Sequence, residues 1–148
     1  MPDLRVIPLK LPHRAYLQVH SNGQALSHAL AWFEELKPPS LPIPKDTWIE
    51  CQTAFYEGLT NAVRHAHHHL AKDTTIDIEV ILAADSITIS IWDYGQGFDI
   101  EQWLRTQPRP TPDQEGGRGW FMMSDIADRL SYTHTEDRRN CLKLIKYY

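Results

Sequence analysis

Cysteine is scarce in this chain: Cys51 and Cys141 are the two thiols in 148 residues. Two thiols cannot build the disulfide lattice of a small secreted scaffold. Neither belongs to a CxxC pair or has an obvious activating partner, so both are expected to be packing residues. No apolar run approaches the roughly 20 residues of a membrane-spanning helix, and no signal peptide is visible at the N-terminus. Basic residues are not in excess either. Fifteen Lys and Arg against 19 Asp and Glu leave a net charge of -4, which argues against a nucleic-acid partner held by a general positive field, while a local basic patch stays open. Internal repeats, low-complexity tracts and domain-splitting linkers are missing.

What is present suits a globular chain. Hydrophobic residues make up 42% and charged residues 23%, a ratio that supports a core. A chain of this length folds as one domain spanning 1–148 and buries roughly 70% of its unfolded surface. All ten prolines fall in three clusters, 2–12, 38–44 and 108–112, and five of the seven glycines lie between Gly95 and Gly119. Proline fixes φ and removes a donor, so each cluster marks a boundary. Between the boundaries the pattern predicts a strand over 15–19, then a helix starting near Gly23 and capped by Ser21 or Asn22, so that strand and helix occupy 15–37. A long helix follows from about Asp46 to Leu70, with Phe55, Leu59, Ala62, Val63, Ala66 and Leu70 on one face. Ile76, Ile78, Val80 and Leu82 alternate, as do Ile87, Ile89 and Ile91, which predicts two half-buried strands turning at Ala84-Asp85. A helix over 120–130 and short strands near 130–135 and 141–147 complete the chain. Helices on one face of a mostly antiparallel sheet make an α+β two-layer sandwich.

Three segments carry chemistry. In 57–66, EGLTNAVRHA, helical spacing sets Glu57, Asn61, Arg64 and His65 on one face, opposite the apolar stripe; the plain alternative is a solvated polar face. Gly58 costs a helix up to about 1 kcal/mol against Ala, which points to close approach by another group. In 91–99, IWDYGQGFD, Asp93 ends a strand ahead of two glycines. A partly buried carboxylate there needs a donor, which the exocyclic amino group of a base can supply, and Gly95 and Gly97 admit a flat ligand to the backbone. The alternative is an ordinary turn with φ > 0. The third glycine of a dinucleotide fingerprint is missing. In 115–123, EGGRGWFMM, a glycine-rich backbone leads into a helix N-terminus, where free N–H groups and Arg118 suit an anion. The alternative is a flexible loop, and no Gly-Lys-Ser/Thr ends it as a P-loop would.

In order and spacing these segments resemble the N, G1 and G2 boxes of the GHKL ATPase superfamily. Within it the chain is most similar to the stand-alone anti-sigma-factor serine/threonine kinases, over roughly residues 15–147. The resemblance implies the Bergerat ATP-binding fold, ATP and Mg²⁺ as cofactors, and residue roles that follow the boxes. Glu57 matches the general base for a serine hydroxyl, and Asn61 the Mg²⁺ ligand. Arg64 and His65 match positions that approach phosphate or ribose. Asp93 matches the acceptor for the adenine amino group, and Gly95 and Gly97 the glycines beneath the base. Gly117, Arg118 and Gly119 match the lid end at the triphosphate, and about 100–115 matches the lid, stiffened by Pro108, Pro110 and Pro112. The threonine often found beside the adenine pocket is replaced by Asn140-Cys141, either of which can keep a polar contact. The helices for dimerisation and phosphoacceptance in sensor histidine kinases are lacking, and the chain is expected to be complete. By the same resemblance the chain phosphorylates a STAS-type anti-anti-sigma protein, sequesters a sigma factor, forms a homodimer and is cytoplasmic, with no direct nucleic-acid or membrane contact. Two other readings stand beside this one: a non-catalytic ATP-gated protein-binding module, and a simple ATP hydrolase.

Other residues invite plainer readings. His65 and His69 stand at i and i+4, a metal-binding spacing, but no nearby Cys, Asp or Glu completes a set, and His65 to His69 read as a polar helix end with His67 and His68 pointing elsewhere. Trp32, Trp48, Trp92, Trp103 and Trp120 read mostly as core, with Trp103 in the lid segment placed to face a partner instead.

Overall fold

A computed structural model describes residues 11–37, 41–111 and 118–148. Strand β1 (His13–His20) leads into helix α1 (Ala25–Glu34). Helix α2 (Lys45–Thr60) runs without a break into a π-helical turn, Asn61–Ala66. The hairpin β2 (Thr75–Leu82) and β3 (Ser86–Asp93) follows, then α3 (Ile100–Thr106), α4 (Arg118–Ile126), and the hairpin β4 (Arg129–His134) and β5 (Asn140–Tyr147). The five strands pair antiparallel in the order β1-β2-β3-β5-β4. The fold class is the expected α+β.

Alternation decides which face of the sheet meets the helices. Ile76, Ile78, Val80 and Leu82 are fully buried, and so are Ile87 and, nearly, Ile89 and Ile91. Pairing stacks them in rows: Ile78 lies opposite Leu17 and Ile91, and Ile91 opposite Leu142. Asp93 has the parity of Ile89 and Ile91, so a carboxylate at the end of an apolar row points to the helix side. On that side Phe33 of α1 stacks on Phe55 at 4.7 Å and Trp48 at 4.9 Å of α2, and all three are buried. Phe33→Ala is therefore expected to destabilise the fold by about 3–5 kcal/mol, the cost of an emptied aromatic site. A shift of the denaturant midpoint worth less than about 1 kcal/mol would mean that α1 is not a core element.

Several expectations are adjusted. The first helix starts at Ala25, because Asn22 accepts from the Gln24 N–H at 3.0 Å in a turn of its own and Ser21 is engaged by His67. The long helix does not continue as α-helix to Leu70. In the π-helical turn the His67 N–H bonds to the Ala62 carbonyl five residues back, at 3.0 Å. That extra residue rotates the chain beyond the turn, so His67 is buried and Leu70 exposed. The Gly58 expectation holds in a specific form: a Cβ there would stand 2.8 Å from Leu142 Cδ2 and 3.1 Å from Ile91 Cδ1, so the glycine lets α2 lie directly on the sheet. The segment expected as a proline-stiffened lid begins as helix α3; residues 112–117 lie outside the described residues.

Candidate functional site

The end of the hairpin β2–β3 and the start of β5 meet at one polar cluster. Register sets Asp93 opposite Asn140, and Asn140 opposite His134. Asp93 is buried, yet every oxygen has a donor. Its Oδ1 accepts from the Gly95 N–H at 2.8 Å and from Asn140 Nδ2 at 3.0 Å, while Oδ2 accepts from the Tyr132 hydroxyl at 2.8 Å. Asn140 Nδ2 also donates to the Gly95 carbonyl at 2.8 Å. Burial and the adjoining Asp93 charge push the Tyr132 phenol far above its ordinary range, so it stays a donor. The donors that a buried carboxylate needs are thus supplied by the protein itself: three groups compensate its desolvation. What they leave is an oriented acceptor with unused lone pairs.

The loop after Asp93 is held closely. Gly97 has φ +74°, a left-handed conformation, and a Cβ there would lie 2.5 Å from Asn140 Oδ1. At Gly95 a Cβ would meet the Ala66 carbonyl at 2.7 Å, so the loop rests against the end of the π-helical turn. Gly97→Ala is expected to cost about 1–2 kcal/mol for backbone alone, and more for the displaced Asn140. Equilibrium unfolding reads this directly, and a variant as stable as the parent would show that the positive φ is not enforced.

A cavity of about 780 Å³ opens over this cluster. Its walls combine Asn61, Arg64 and His65 from the π-helical turn, Asp93, Gly95 and Gly97 from the loop, and Phe98, Trp120, Tyr132, Ile91 and Leu142 as apolar lining. Six of the sequence-predicted residues therefore surround one space of the size, and with the apolar-plus-few-polar lining, of a small-molecule pocket. Glu57, Arg118 and Gly119 are not part of that lining. Glu57 meets the second glycine-rich segment instead: a Cβ on Gly119 would lie 2.7 Å from Glu57 Oε2 and 3.6 Å from the Asn61 amide. Arg118 opens α4 and donates to the Thr111 carbonyl at 2.9 Å. Gly117 lies outside the described residues.

Two features test whether a nucleotide with its metal ion suits these residues. Asn61 Nδ2 is buried with no hydrogen-bond partner, so one end of that amide is left for a ligand. Among the described residues no three or more His, Cys, Asp or Glu side chains group as a metal cage. The unpaired Asn61 NH₂ can donate to a ligand oxygen, and the oxygen of the same amide is a hard donor of the kind Mg²⁺ takes alongside waters and substrate oxygens. His68 and His69 pack edge to face at 4.5 Å.

Two site residues went unrecognised in the sequence, Tyr132 and Trp120, and so did the burial of His67. Tyr132 carried a signal, since it shares the parity of the inward residues of β4, whereas the π-helical turn that buries His67 left none. Of the Asn140-Cys141 pair, Asn140 makes the polar contact. Cys141 is buried with its thiol raised by desolvation, and burial pushes Cys51 up to about 12, as inert packing thiols require. Trp103 packs within the chain, against Phe98 at 6.3 Å and Phe121 at 5.2 Å. Arg109 pairs both terminal guanidinium nitrogens with Asp125 at 2.8 and 2.9 Å, tying the segment after α3 to α4.

Residues 19–146 match the model of the family described as a histidine kinase-like ATPase domain. Among curated proteins the chain is similar to the anti-sigma F factor of Thermoanaerobacter sp. (strain X514), with 28% identity over 102 residues, 66% of this chain and 68% of that protein. It is also similar to the anti-sigma F factor of Clostridium beijerinckii, 34% identical over 83 residues, 55% of this chain and 57% of the relative. The crystal structure of the RsbU and RsbW domains of Rv1364c from Mycobacterium tuberculosis shares the fold, with a TM-score of 0.63 at 17% identity over 90% of this chain and 32% of that one. The chain thus spans about a third of the mycobacterial chain.

Proposed function

The chain belongs to the histidine kinase-like ATPase family, and on that premise we propose that it is an ATP-dependent serine/threonine protein kinase that acts as an anti-sigma factor. Its substrate is a STAS-type anti-anti-sigma protein, and its sequestered partner is a sigma factor. The observation that carries this reading is convergence: residues of the first two boxes surround one cavity, and Gly119 of the third abuts Glu57 and Asn61. The anti-sigma F factor names of the similar bacterial proteins support the biological role.

In this reading Asp93 accepts from the adenine amino group, and Gly95 and Gly97 bring the backbone beneath the base. Arg64 brings positive charge and His65 a ring nitrogen to the phosphates or ribose, and Asn61 offers its amide oxygen to Mg²⁺. Gly117, Arg118 and Gly119 close over the triphosphate, the N–H groups of the α4 N-terminus adding donors for an anion. Bound Mg²⁺ neutralises charge on the phosphates. Phosphoryl transfer asks the protein mainly for position and charge complementarity. Glu57 accepts the proton of the incoming serine hydroxyl. A few local donors suffice on a chain of net charge -4. The family resemblance also supports a cytoplasmic homodimer, and a monomeric mass by sedimentation at working concentration would overturn that part. Among the described residues no helix is long and apolar enough to cross a membrane.

The test is incubation with Mg-ATP and a purified anti-anti-sigma partner, followed by mass spectrometry for phosphoserine or phosphothreonine. Stoichiometric modification of the partner is the expected result. Nucleotide binding without transfer to any partner would favour the ATP-gated binding module instead.

A further inference from the structure

His67 is a buried imidazole at the junction of three segments. It comes directly after the π-helical turn, and its two ring nitrogens are both engaged. Nε2 lies 2.7 Å from the backbone nitrogen of Tyr94, and Nδ1 makes a short hydrogen bond with the hydroxyl of Ser21, at the end of β1. A backbone N–H only donates, so Nε2 must be the unprotonated acceptor. The neutral ring therefore carries its proton on Nδ1 and gives it to Ser21. Tyr94 sits between Asp93 and Gly95, and all three line the cavity. Gly95 in turn donates to Asp93 and receives the Asn140 amide.

We propose that His67 is a positioning residue of the nucleotide cavity: its neutral ring anchors the Tyr94 backbone to the end of the π-helical turn, and so holds Gly95 and the Asp93 carboxylate in their ligand-facing geometry. The inference rests on the nucleotide reading above. None of the three boxes reaches His67, and the role arises from this chain's own packing of a histidine under the loop. A second proton on the ring would place a donor against the Tyr94 N–H, 2.7 Å away, and release the anchor. Burial already holds the ring below the ordinary histidine value of 6.5. Of the titratable groups around it, the Asp93 carboxylate works in the opposite sense, and the Tyr94 ring lies tilted at 6.3 Å. With the folded-state value depressed, the anchor's contribution is complete above about pH 6.5 and is lost as pH falls from there through the folded-state value.

The experiment titrates Mg-ADP into the unaltered chain, H67Q and H67L between about pH 5.5 and pH 8. His65, His68 and His69 also line the cavity, so the informative quantity is the affinity ratio of the unaltered chain to H67Q at each pH. Gln keeps an acceptor for Tyr94 and cannot titrate. At the high end H67Q is expected within about threefold of the unaltered chain and H67L about tenfold weaker. On acidification the unaltered chain should lose about tenfold relative to H67Q. In parallel, the Tyr94 amide resonance should shift with the same midpoint as the His67 ring, which keeps the test open should H67L fail to fold. A ratio that does not change with pH, or a Tyr94 amide indifferent to the ring's titration, overturns the positioning role alone. Absence of nucleotide binding by the unaltered chain at every pH overturns the nucleotide reading and this inference with it.

Discussion

Glu57→Gln is expected to slow phosphoryl transfer to the partner protein by about 10²–10⁴-fold, the range typical of a lost general base. The substitution is close to isosteric. Its contact with Gly119, where Oε2 stands 2.7 Å from the place a Cβ would take, asks only for an atom of that size. An amide, however, cannot accept the serine proton at neutral pH. Nucleotide binding should be retained or slightly tighter, because the change removes a negative charge from the neighbourhood of a triphosphate. Single-turnover transfer from Mg-ATP, with calorimetric affinity measured on the same preparation, separates the two effects. Undiminished transfer would sink the proton-accepting role. A parallel loss of binding and transfer would reassign Glu57 to holding the nucleotide.

Asp93→Asn is expected to weaken nucleotide binding by about 100-fold, or about 2.7 kcal/mol. The hydrogen-bond pattern dictates how the amide must sit. Both groups at Oδ1, the Gly95 N–H and Asn140 Nδ2, are donors, so the amide oxygen stays there. The NH₂ then takes the place of Oδ2, facing the Tyr132 hydroxyl, which rotates from donating to accepting. The fold loses little by this exchange. The cavity loses its acceptor and presents a donor to the adenine amino group, leaving two donors face to face in a desolvated site, which costs more than one missing bond. Calorimetric titration with Mg-ADP reads the loss directly, and unchanged affinity would remove Asp93 from base recognition.

The two variants draw on parts of the chain that were legible to different degrees. The hairpin ending at Asp93 could be read because alternation of Ile76 to Leu82 and Ile87 to Ile91 is a period-2 signal imposed by one buried face. The helix bearing Glu57 could be read from its apolar stripe, though its end could not. A π-helical turn leaves no mark in hydrophobic periodicity until the register beyond it is known, so His67 looked like a surface residue and Leu70 like core. Two of the three partners of Asp93 were hidden for a different reason. Tyr132 and Asn140 are 39 and 47 residues away along the chain and meet the carboxylate through strand pairing across β5.

The sequence by itself determined the α+β layering, the order of the three boxes and the residue types they offer to a nucleotide, since period, turn chemistry and motif spacing are local properties. It also pointed to the close approach of a neighbour at Gly58. Only the tertiary structure decided which neighbour, the sheet residues Leu142 and Ile91, and that Gly119 rests against Glu57. It decided too that Asp93 is already satisfied by Gly95, Tyr132 and Asn140 before any ligand arrives. The physical reason is that a buried carboxylate must find donors wherever the fold brings them, and strand register, which joins distant residues, chooses them.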